Sequence, residues 1–416
     1  MFKRIAGTFS NKLVATFVSF LIVVLSSRYL GASGKGQISL FIANIVMVQH
    51  IGNLVSGGSL VYLTPRMKPI ILLIPSYIWS VLSSFLVVGI LYVSNLVLKE
   101  FVIDLIILST LNNLVTTNYM ILLGKEQVKK YNGLTLLYAI ITFLYLVYSF
   151  LIINNREVSK YIEALYISYS VVLVLSFVYL RKEFIWVRFS EFKEAINRIV
   201  KLGFTAQFSN IISFINYRFS YYVLVAKFSD SVLGVYSIGV ALSEALWLMS
   251  KSIALIQYTK IVNEEDKKVS QQLTFSMAKV SFWITLIMLI GLSIVPEPFF
   301  RFVFGWEFGD AKQVIYALGF GVLSISISTT FAHYFGGIAR YDINNKASIV
   351  GLIVTLSLTH ILIDYFGMIG AGVSTSLAYL ASGVYQYFMF RKESGFQLSM
   401  LFPNKSDLQK VKNLIS

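Results

Sequence analysis

Cysteine is missing from the 416-residue chain, and charge is scarce, with 13% of residues Asp, Glu, Lys or Arg. The first absence excludes disulfides and thiolate metal sites, and it removes redox chemistry as a guide to compartment. The second excludes an ordinary soluble globule, whose surface draws on about 25% charged residues. A nucleotide-phosphate loop is missing too. The stretch RYLGASGKGQIS (28–39) gathers three glycines and a lysine. A phosphate cradle requires G-x-x-x-x-G-K-[ST], because backbone N–H groups must wrap the phosphates while the hydroxyl holds Mg²⁺. A match through Gly34 and Lys35 needs glycine at 29 and Ser or Thr at 36, where the chain has Tyr29 and Gly36. No paired-histidine metal motif, nucleophile elbow or acidic pair suited to glycosyl transfer is found. The sequence therefore points away from an enzyme and calls for no cofactor or metal. Uphill transport, if performed, must draw on an ion gradient or on substrate consumption.

What the chain has in abundance is apolar length, with 56% of residues hydrophobic. Twelve apolar segments centre on 10–30, 37–64, 70–94, 101–124, 132–153, 161–180, 203–226, 232–258, 272–295, 313–338, 346–366 and 369–390. The segments flanking the glycine-rich stretch are long enough to cross a hydrocarbon core of ~30 Å. The expected fold is an all-α polytopic membrane protein of about twelve transmembrane helices. The first apolar run is too long for a cleaved leader and lacks a small-residue cleavage site. The longest connection, RKEFIWVRFSEFKEAINRIVK (181–201), mixes Phe, Ile and Trp with basic residues, as a helix lying on a membrane surface does.

The formal charge of +15 is the signature of Lys- and Arg-rich cytoplasmic loops rather than of nucleic-acid binding. With the N-terminus inside, the cytoplasmic ends and loops hold 25 of the 35 Lys and Arg and the outer loops 8, with Arg218 and Lys251 inside segments. That bias predicts both termini in the cytoplasm. It makes 28–39 an outward-facing hairpin turn, with Lys35 among its loop charges and glycines that let two helices reverse tightly.

The turn recurs. GQISLFIANIV (36–46) aligns with GVYSIGVALSE (234–244) at an offset of 198, and GKEQVKKYN (124–132) aligns with GIARYDINN (337–345) at 213. The extra 15 residues fit the outer loop PEPFFRFVFGWEFGDAKQ (296–313). Segments one to six and seven to twelve thus form two pseudo-symmetric six-helix lobes. Six helices per copy preserve orientation, so the repeats are parallel, and transporters built this way bind substrate between the halves near the midplane. The expected organisation is an N-lobe at 1–180, an amphipathic cytoplasmic linker at 181–202, a C-lobe at 203–390 and a cytoplasmic tail at 391–416.

Polar residues inside apolar segments are costly, so each requires a reason. In segment seven, Gln207, Asn210, Phe214, Tyr217, Arg218 and Tyr221 share one helical face. Such a stripe suits a ligand bearing phosphate and sugar: Arg offers a charged fork to phosphate oxygens, amides bond hydroxyls and Tyr rings pack on sugar faces. The alternative is helix packing, with Arg218 neutralised by a carboxylate. Segment eight presents Glu244, Trp247, Lys251 and Tyr258 on one face. Glu244 and Lys251 are about 10 Å apart along the axis; either they straddle a ligand, or Glu244 pairs with Arg218. In segment two, Gln49, Asn53 and Ser56 share a face, with His50 and Gly57 at its edge. His50 is either a proton site, as an imidazole titrating near neutral pH, or a hydrogen-bonded core residue. Segment one offers Lys12, Thr16, Ser19 and Ser26, a face that also fits a small-residue packing seam. His360 and Asp364, near the end of segment eleven, fit an interfacial hydrogen bond better than a relay. The residues above split into substrate-binding candidates (Lys12, Gln49, Asn53, Gln207, Asn210, Tyr217, Arg218, Tyr221, Trp247 and Lys251) and ion-coupling candidates (Glu244 and His50).

Three stretches carry a family resemblance: FSNKLVATFVSFLIVVLSSRYLGASGKGQISLF near the start, PEPFFRFVFGWEFGDA, and LTHILIDYFGMIGAGVSTSLAYL near the end. In order along the chain, they resemble the Wzx-type polysaccharide (O-antigen) flippases of the multidrug/oligosaccharidyl-lipid/polysaccharide (MOP) exporter superfamily. The resemblance implies two six-helix lobes around a central cavity lined by segments one, two, seven and eight. It implies alternating-access movement of an undecaprenyl-pyrophosphate-linked oligosaccharide from the inner to the outer leaflet of a bacterial cytoplasmic membrane. It further implies membrane lipids, a proton or sodium ion, and a polysaccharide polymerase as partners, and no nucleic acid. Asp364 stands where that family often has proline, so no role passes to it. A multidrug/cation antiporter of the same superfamily would want acidic sites in the first lobe, and segments one and two contain no Asp or Glu. A membrane polysaccharide polymerase or ligase would show a large catalytic outer loop, and the longest here has about 18 residues.

Overall fold

The computed structural model describes residues 2–184, 187 and 190–402, and their side chains except those of 2–10, 12, 13, 190, 205 and 206. The described residues form helices α1 (Phe2–Ser56), α2 (Gly58–Leu63), α3 (Pro69–Val93), α4 (Val102–Gly124), α5 (Val128–Val147) and α6 (Val158–Leu180), followed by α7 (Ser190–Lys227), α8 (Asp230–Val262), α9 (Lys267–Ile294), α10 (Glu297–Phe304), α11 (Ala311–Gly337) and α12 (Tyr341–Ser394). Runs of Leu, Ile, Val and Phe leave no backbone alternative in lipid, where every N–H and C=O must be bonded within its own segment.

Two helices are too long to be straight. At 1.5 Å per residue, the 55 residues of α1 would reach ~80 Å, more than twice the hydrocarbon thickness. Gly31 breaks the spiral with φ 68° and ψ −175°, a combination essentially confined to glycine. Beyond it the chain folds back, because Lys35 Nζ lies 3.5 Å from Ser26 Oγ where a straight helix would separate them by ~13 Å. In α12 the break is at Gly367, and Thr359 Oγ1 meets Ser374 Oγ at 3.3 Å. Among the described residues nine helices are long and apolar enough to span a membrane. The two folded helices contribute two limbs each, and α7, whose polar stripe lowers its hydropathy, completes the expected twelve. The protein is an all-α, multi-pass membrane protein.

Details differ from the sequence reading. Segment two ends at Ser56, and a separate short helix, α2, follows Gly57. From Ser190 onward, the surface helix expected at 181–201 is continuous with segment seven in α7, and its Ala195 and Ile199 pack with Leu72, Leu122 and Val172. Lys35, counted above among loop charges, is 8% exposed: the turn is a single residue, and the helix resumes at Ala32.

The chain divides into two compact units. Unit 1 comprises Met1–Phe214, Val225–Val235 and Arg301–Phe308; unit 2 comprises Ile215–Leu224, Tyr236–Phe300 and Gly309–Ser416. Unit 1 is built on Leu72, Leu73, Ile121 and Leu122 at one core and on Val48, Val88, Leu105 and Leu108 at another. Unit 2 has an aromatic core of Phe331, Tyr334, Phe335, Phe390 and Phe396.

The internal repeat is visible in hydrogen bonds. Before α5, N–H groups of Lys125, Glu126 and Gln127 donate to the carbonyls of Ile121, Leu123 and Leu122; before α12, those of Ile338, Ala339 and Arg340 donate to Tyr334, Gly336 and Phe335. Every donor and acceptor is displaced by 213. So are the positive-φ residues Glu126 and Ala339, and Asn154 and Gly367. At the offset of 198 the relation is reciprocal within unit 1. The Cα of Gly36 abuts the carbonyl of Asp230, and that of Gly234 abuts the carbonyl of Ala32, each too closely for any side chain. Two helix starts thus cross by a local two-fold.

Of the outer loop that holds the insertion, Arg301–Phe308 belong to unit 1. Glu307 Oε2 accepts the Ala32 N–H at 2.9 Å, a carboxylate at the start of a helix limb, where the helix dipole favours it. Arg28 Nη1 donates to the Phe302 carbonyl at 2.6 Å.

Candidate functional site

Unit 2 gathers the richest cluster. Arg218 on α7 and Glu244 on α8 form a two-pronged ion pair, with Nη1 to Oε1 at 2.7 Å and Nη2 to Oε2 at 3.0 Å. Of the two arrangements open for Glu244, this is the one observed. About a quarter of the Arg218 side chain and a third of the Glu244 side chain stay accessible, at 24% and 31%. The pair is therefore not fully enclosed by protein. Tyr221 supports it, its ring centroid 5.1 Å from the guanidinium carbon.

Two turns along α8 from Glu244, the Lys251 ammonium sits 3.6 Å from the Trp247 ring centroid, a close cation–π contact. Trp247 is held by its indole N–H, which donates to Thr329 Oγ1 at 2.9 Å. Tyr217 packs edge-on against both Trp247 and Tyr379, with centroids 5.4 and 5.3 Å away. A cavity of about 10 Å³ lies among Tyr217, Glu244, Trp247, Thr375 and Tyr379, room for a single water at most. The net side-chain charge of this cluster is positive: Arg218 and Lys251 against Glu244. Its chemistry is that of an anion and sugar contact, with a fork for phosphate oxygens and flat aromatic faces.

The remaining stripe residues lie in unit 1. Asn210 Nδ2 donates to Gln207 Oε1 at 3.1 Å, and Gln207 and Asn53 both lie against Gly57. Gln49 Nε2 donates to Thr116 Oγ1 at 3.0 Å. The His50 ring packs on Phe214, centroids 5.1 Å apart, and its buried Nδ1 has no partner among the described residues. Lys12 lies outside the residues whose side chains are described. The segment-seven face therefore serves two groupings, Gln207–Asn210–Phe214 in unit 1 and Tyr217–Arg218–Tyr221 in unit 2. Tyr258 leaves the Glu244–Trp247 group and packs on His333 at 6.0 Å. His360 packs edge-on against Phe219 at 5.7 Å. Among the described residues no cluster of acidic or histidine side chains could hold a metal ion.

Sequence reasoning missed Tyr379, Thr329 and Thr375, which close the unit 2 cluster from α11 and α12. Tyr379 falls in the quoted STSLAYL stretch, the only signal that could have pointed to it.

The helices and the internal repeat define a multi-pass membrane protein. Its fold is that of the MOP exporters. It superposes on the inward closed conformation of the lipid II flippase MurJ with TM-score 0.73 at 14% identity, covering 95% of this chain and 88% of that one. It superposes equally on an inward-facing multidrug resistance MATE family transporter of the MOP superfamily, also with TM-score 0.73 and 14% identity, covering 91% and 94%. Such likeness is one of fold alone. In sequence, residues 238–410 match the family described as lipid II flippase MurJ, a span short of half the chain. The chain is 22% identical over 206 residues to the capsular polysaccharide biosynthesis protein CapF of Staphylococcus aureus, covering 49% of this chain and 51% of that protein. It is 24% identical over 382 residues to Lsg locus putative protein 1 of Haemophilus influenzae, covering 88% and 93%. The chain thus spans about half the length of CapF and nearly all of the Haemophilus protein. These findings bear out the resemblance to MOP-superfamily flippases read from the sequence motifs.

Proposed function

We propose that the protein flips an undecaprenyl-pyrophosphate-linked oligosaccharide across a bacterial cytoplasmic membrane by alternating access, from the cytoplasmic to the outer leaflet. The observation that carries this reading is the partly accessible Arg218–Glu244 pair, set beside Lys251, Trp247, Tyr217 and Tyr379. A pyrophosphate leaving water needs a cation to offset a desolvation cost of several kcal/mol, and Arg218 supplies it when its fork turns from Glu244 to the phosphate. The aromatic rings receive the sugars. The match of residues 238–410 to a lipid II flippase family supports a lipid-linked cargo and takes in Glu244, Trp247, Lys251 and Tyr379, while Arg218 and Tyr217 precede it.

Coupling follows from the exchange. Once Arg218 engages phosphate, Glu244 loses its counter-charge and takes up a proton or sodium ion, so that the loaded and empty carriers differ in charge. His50 is the second candidate, because its ring nitrogen lies buried and unbonded. In a strain lacking the endogenous flippase, Arg218→Ala is expected to insert normally and export no glycan, and Arg218→Lys to restore export only in part, since the fork is lost. Wild-type export by Arg218→Ala at matched expression would exclude Arg218 from the site and sink this reading.

A further inference from the structure

Lys35 is the buried charge that the site above leaves unused. It is 8% exposed, a figure that counts lipid-facing as well as water-facing surface, so its ammonium is enclosed by protein and does not snorkel. The Nζ has one hydrogen-bond partner, Ser26 Oγ at 3.5 Å, and no carboxylate among the described residues forms an ion pair with it. Two acids near the turn accept other donors. Glu307 accepts the Ala32 N–H, and Asp230 accepts from Gln37 Nε2 at 3.1 Å. Ser26 and Ser27 donate their hydroxyl protons to Val23 and Val24 carbonyls at 3.0 Å each, which leaves Ser26 only an oxygen lone pair to offer. Three ammonium protons thus meet one weak neutral acceptor.

An ionised group in that position costs several kcal/mol unless an anion compensates it, and intramembrane ionisable residues generally mark substrate or ion paths. From its enclosure, its missing counter-ion and its place one helical turn from the Gly31 reversal, we infer that Lys35 is a second phosphate contact, separate from Arg218. It engages a phosphate group near that end of unit 1 during the transport cycle. The inference rests on the reading of the chain as a carrier of a lipid-linked pyrophosphate glycan. The phosphate is either that of the cargo or that of a phospholipid headgroup, chemistries that Lys35 meets identically.

The test uses the full-length protein and the variants Lys35→Met and Lys35→Arg. In detergent and chloride, Lys35→Met is expected to melt no lower than wild type, because a lone buried charge is removed. Inorganic pyrophosphate should raise the melting temperature of wild type and of Lys35→Arg, and raise that of Lys35→Met by clearly less. A rise of equal size in wild type and Lys35→Met, or no rise in wild type, overturns the assignment. So does a Lys35→Met protein that melts well below wild type in chloride, which would make Lys35 a packing residue. In vesicles, Lys35→Met should lose transport of lipid-linked pyrophosphate glycan by about tenfold or more. A loss of the same size with and without phosphatidylglycerol in a phosphatidylcholine bilayer assigns the phosphate to the cargo. A loss confined to bilayers with phosphatidylglycerol assigns it to a headgroup, and no loss in either overturns the proposal. If wild type itself moves no such glycan, the proposed function fails, and the melting measurements still judge Lys35.

Discussion

The turns before α5 and before α12 match donor for donor, yet the two units carry different chemistry. Unit 2 has a cation paired with an anion, and a second cation over an indole. Unit 1 has amides bonded to amides and hydroxyls, an imidazole on a phenyl ring and a lysine without a counter-ion. The turns are fixed by backbone hydrogen bonds, which any side chain permits, so the repeat can keep its geometry while its interior diverges. The lesson is that charge, rather than fold, separates the two halves. Removing Arg218 should therefore destabilise unit 2, while removing Lys35 should cost unit 1 nothing.

The largest expected effect tests the shared geometry. Gly234→Val forces a side chain into the Ala32 carbonyl and should cost about 3 kcal/mol, the upper range for overpacking. Gly291→Val, where no atom lies within 4 Å, should change the melting temperature little. Equal melting of the two variants would remove the glycine crossing from the account.

The next effect concerns the contrast in charge. Arg218→Ala strands Glu244 and should destabilise by ~2 kcal/mol, less than the ~3–5 kcal/mol for a fully buried pair because both groups remain partly exposed. Adding Glu244→Ala should return most of that loss, as a thermal double-mutant cycle in detergent would read. Lys35→Met should show no loss at all. If Arg218→Ala and Lys35→Met destabilise equally, the distinction between a paired and an unpaired cation is wrong.

Two smaller effects follow at the Gly31 turn. Gly31→Ala puts a Cβ at φ 68°, 2.8 Å from Glu307 Oε2, and should cost ~1–3 kcal/mol of backbone strain. Glu307→Gln keeps a hydrogen bond to Ala32 and loses only the charge at a helix start, worth ~0.3–1 kcal/mol. A Glu307→Gln loss larger than that of Gly31→Ala would mean that the carboxylate, and not the glycine, makes the turn.

Much of this was legible in the sequence. Hydropathy marks the twelve limbs because lipid tolerates little else, and the repeat offsets reappear, 213 in the backbone hydrogen bonds and 198 in the glycine–carbonyl contacts. The pairing partners Arg218 and Glu244 were visible as lone charges in apolar helices. Three features were not legible. Tyr379 and Thr329 join the cluster from helices more than 80 residues along the chain, and such contacts leave no periodic trace. Docking of Arg301–Phe308 on the first hairpin depends on one carboxylate and one carbonyl, which composition does not reveal. Lys35 was taken for a loop charge because three glycines suggest a long turn, whereas only Gly31 leaves the helical spiral there.

The most direct test of the account is transport by the purified protein in sealed vesicles. Undecaprenyl-pyrophosphate oligosaccharide is incorporated in both leaflets, and its access to an added sugar-cleaving enzyme is followed over time. The account predicts that wild-type protein exposes the protected glycan pool, that Arg218→Ala does not, and that neither variant drives a cationic dye across the same bilayer. Proton- or sodium-driven dye movement with no change in glycan accessibility would contradict it, and would make the chain a cation antiporter built on the same fold.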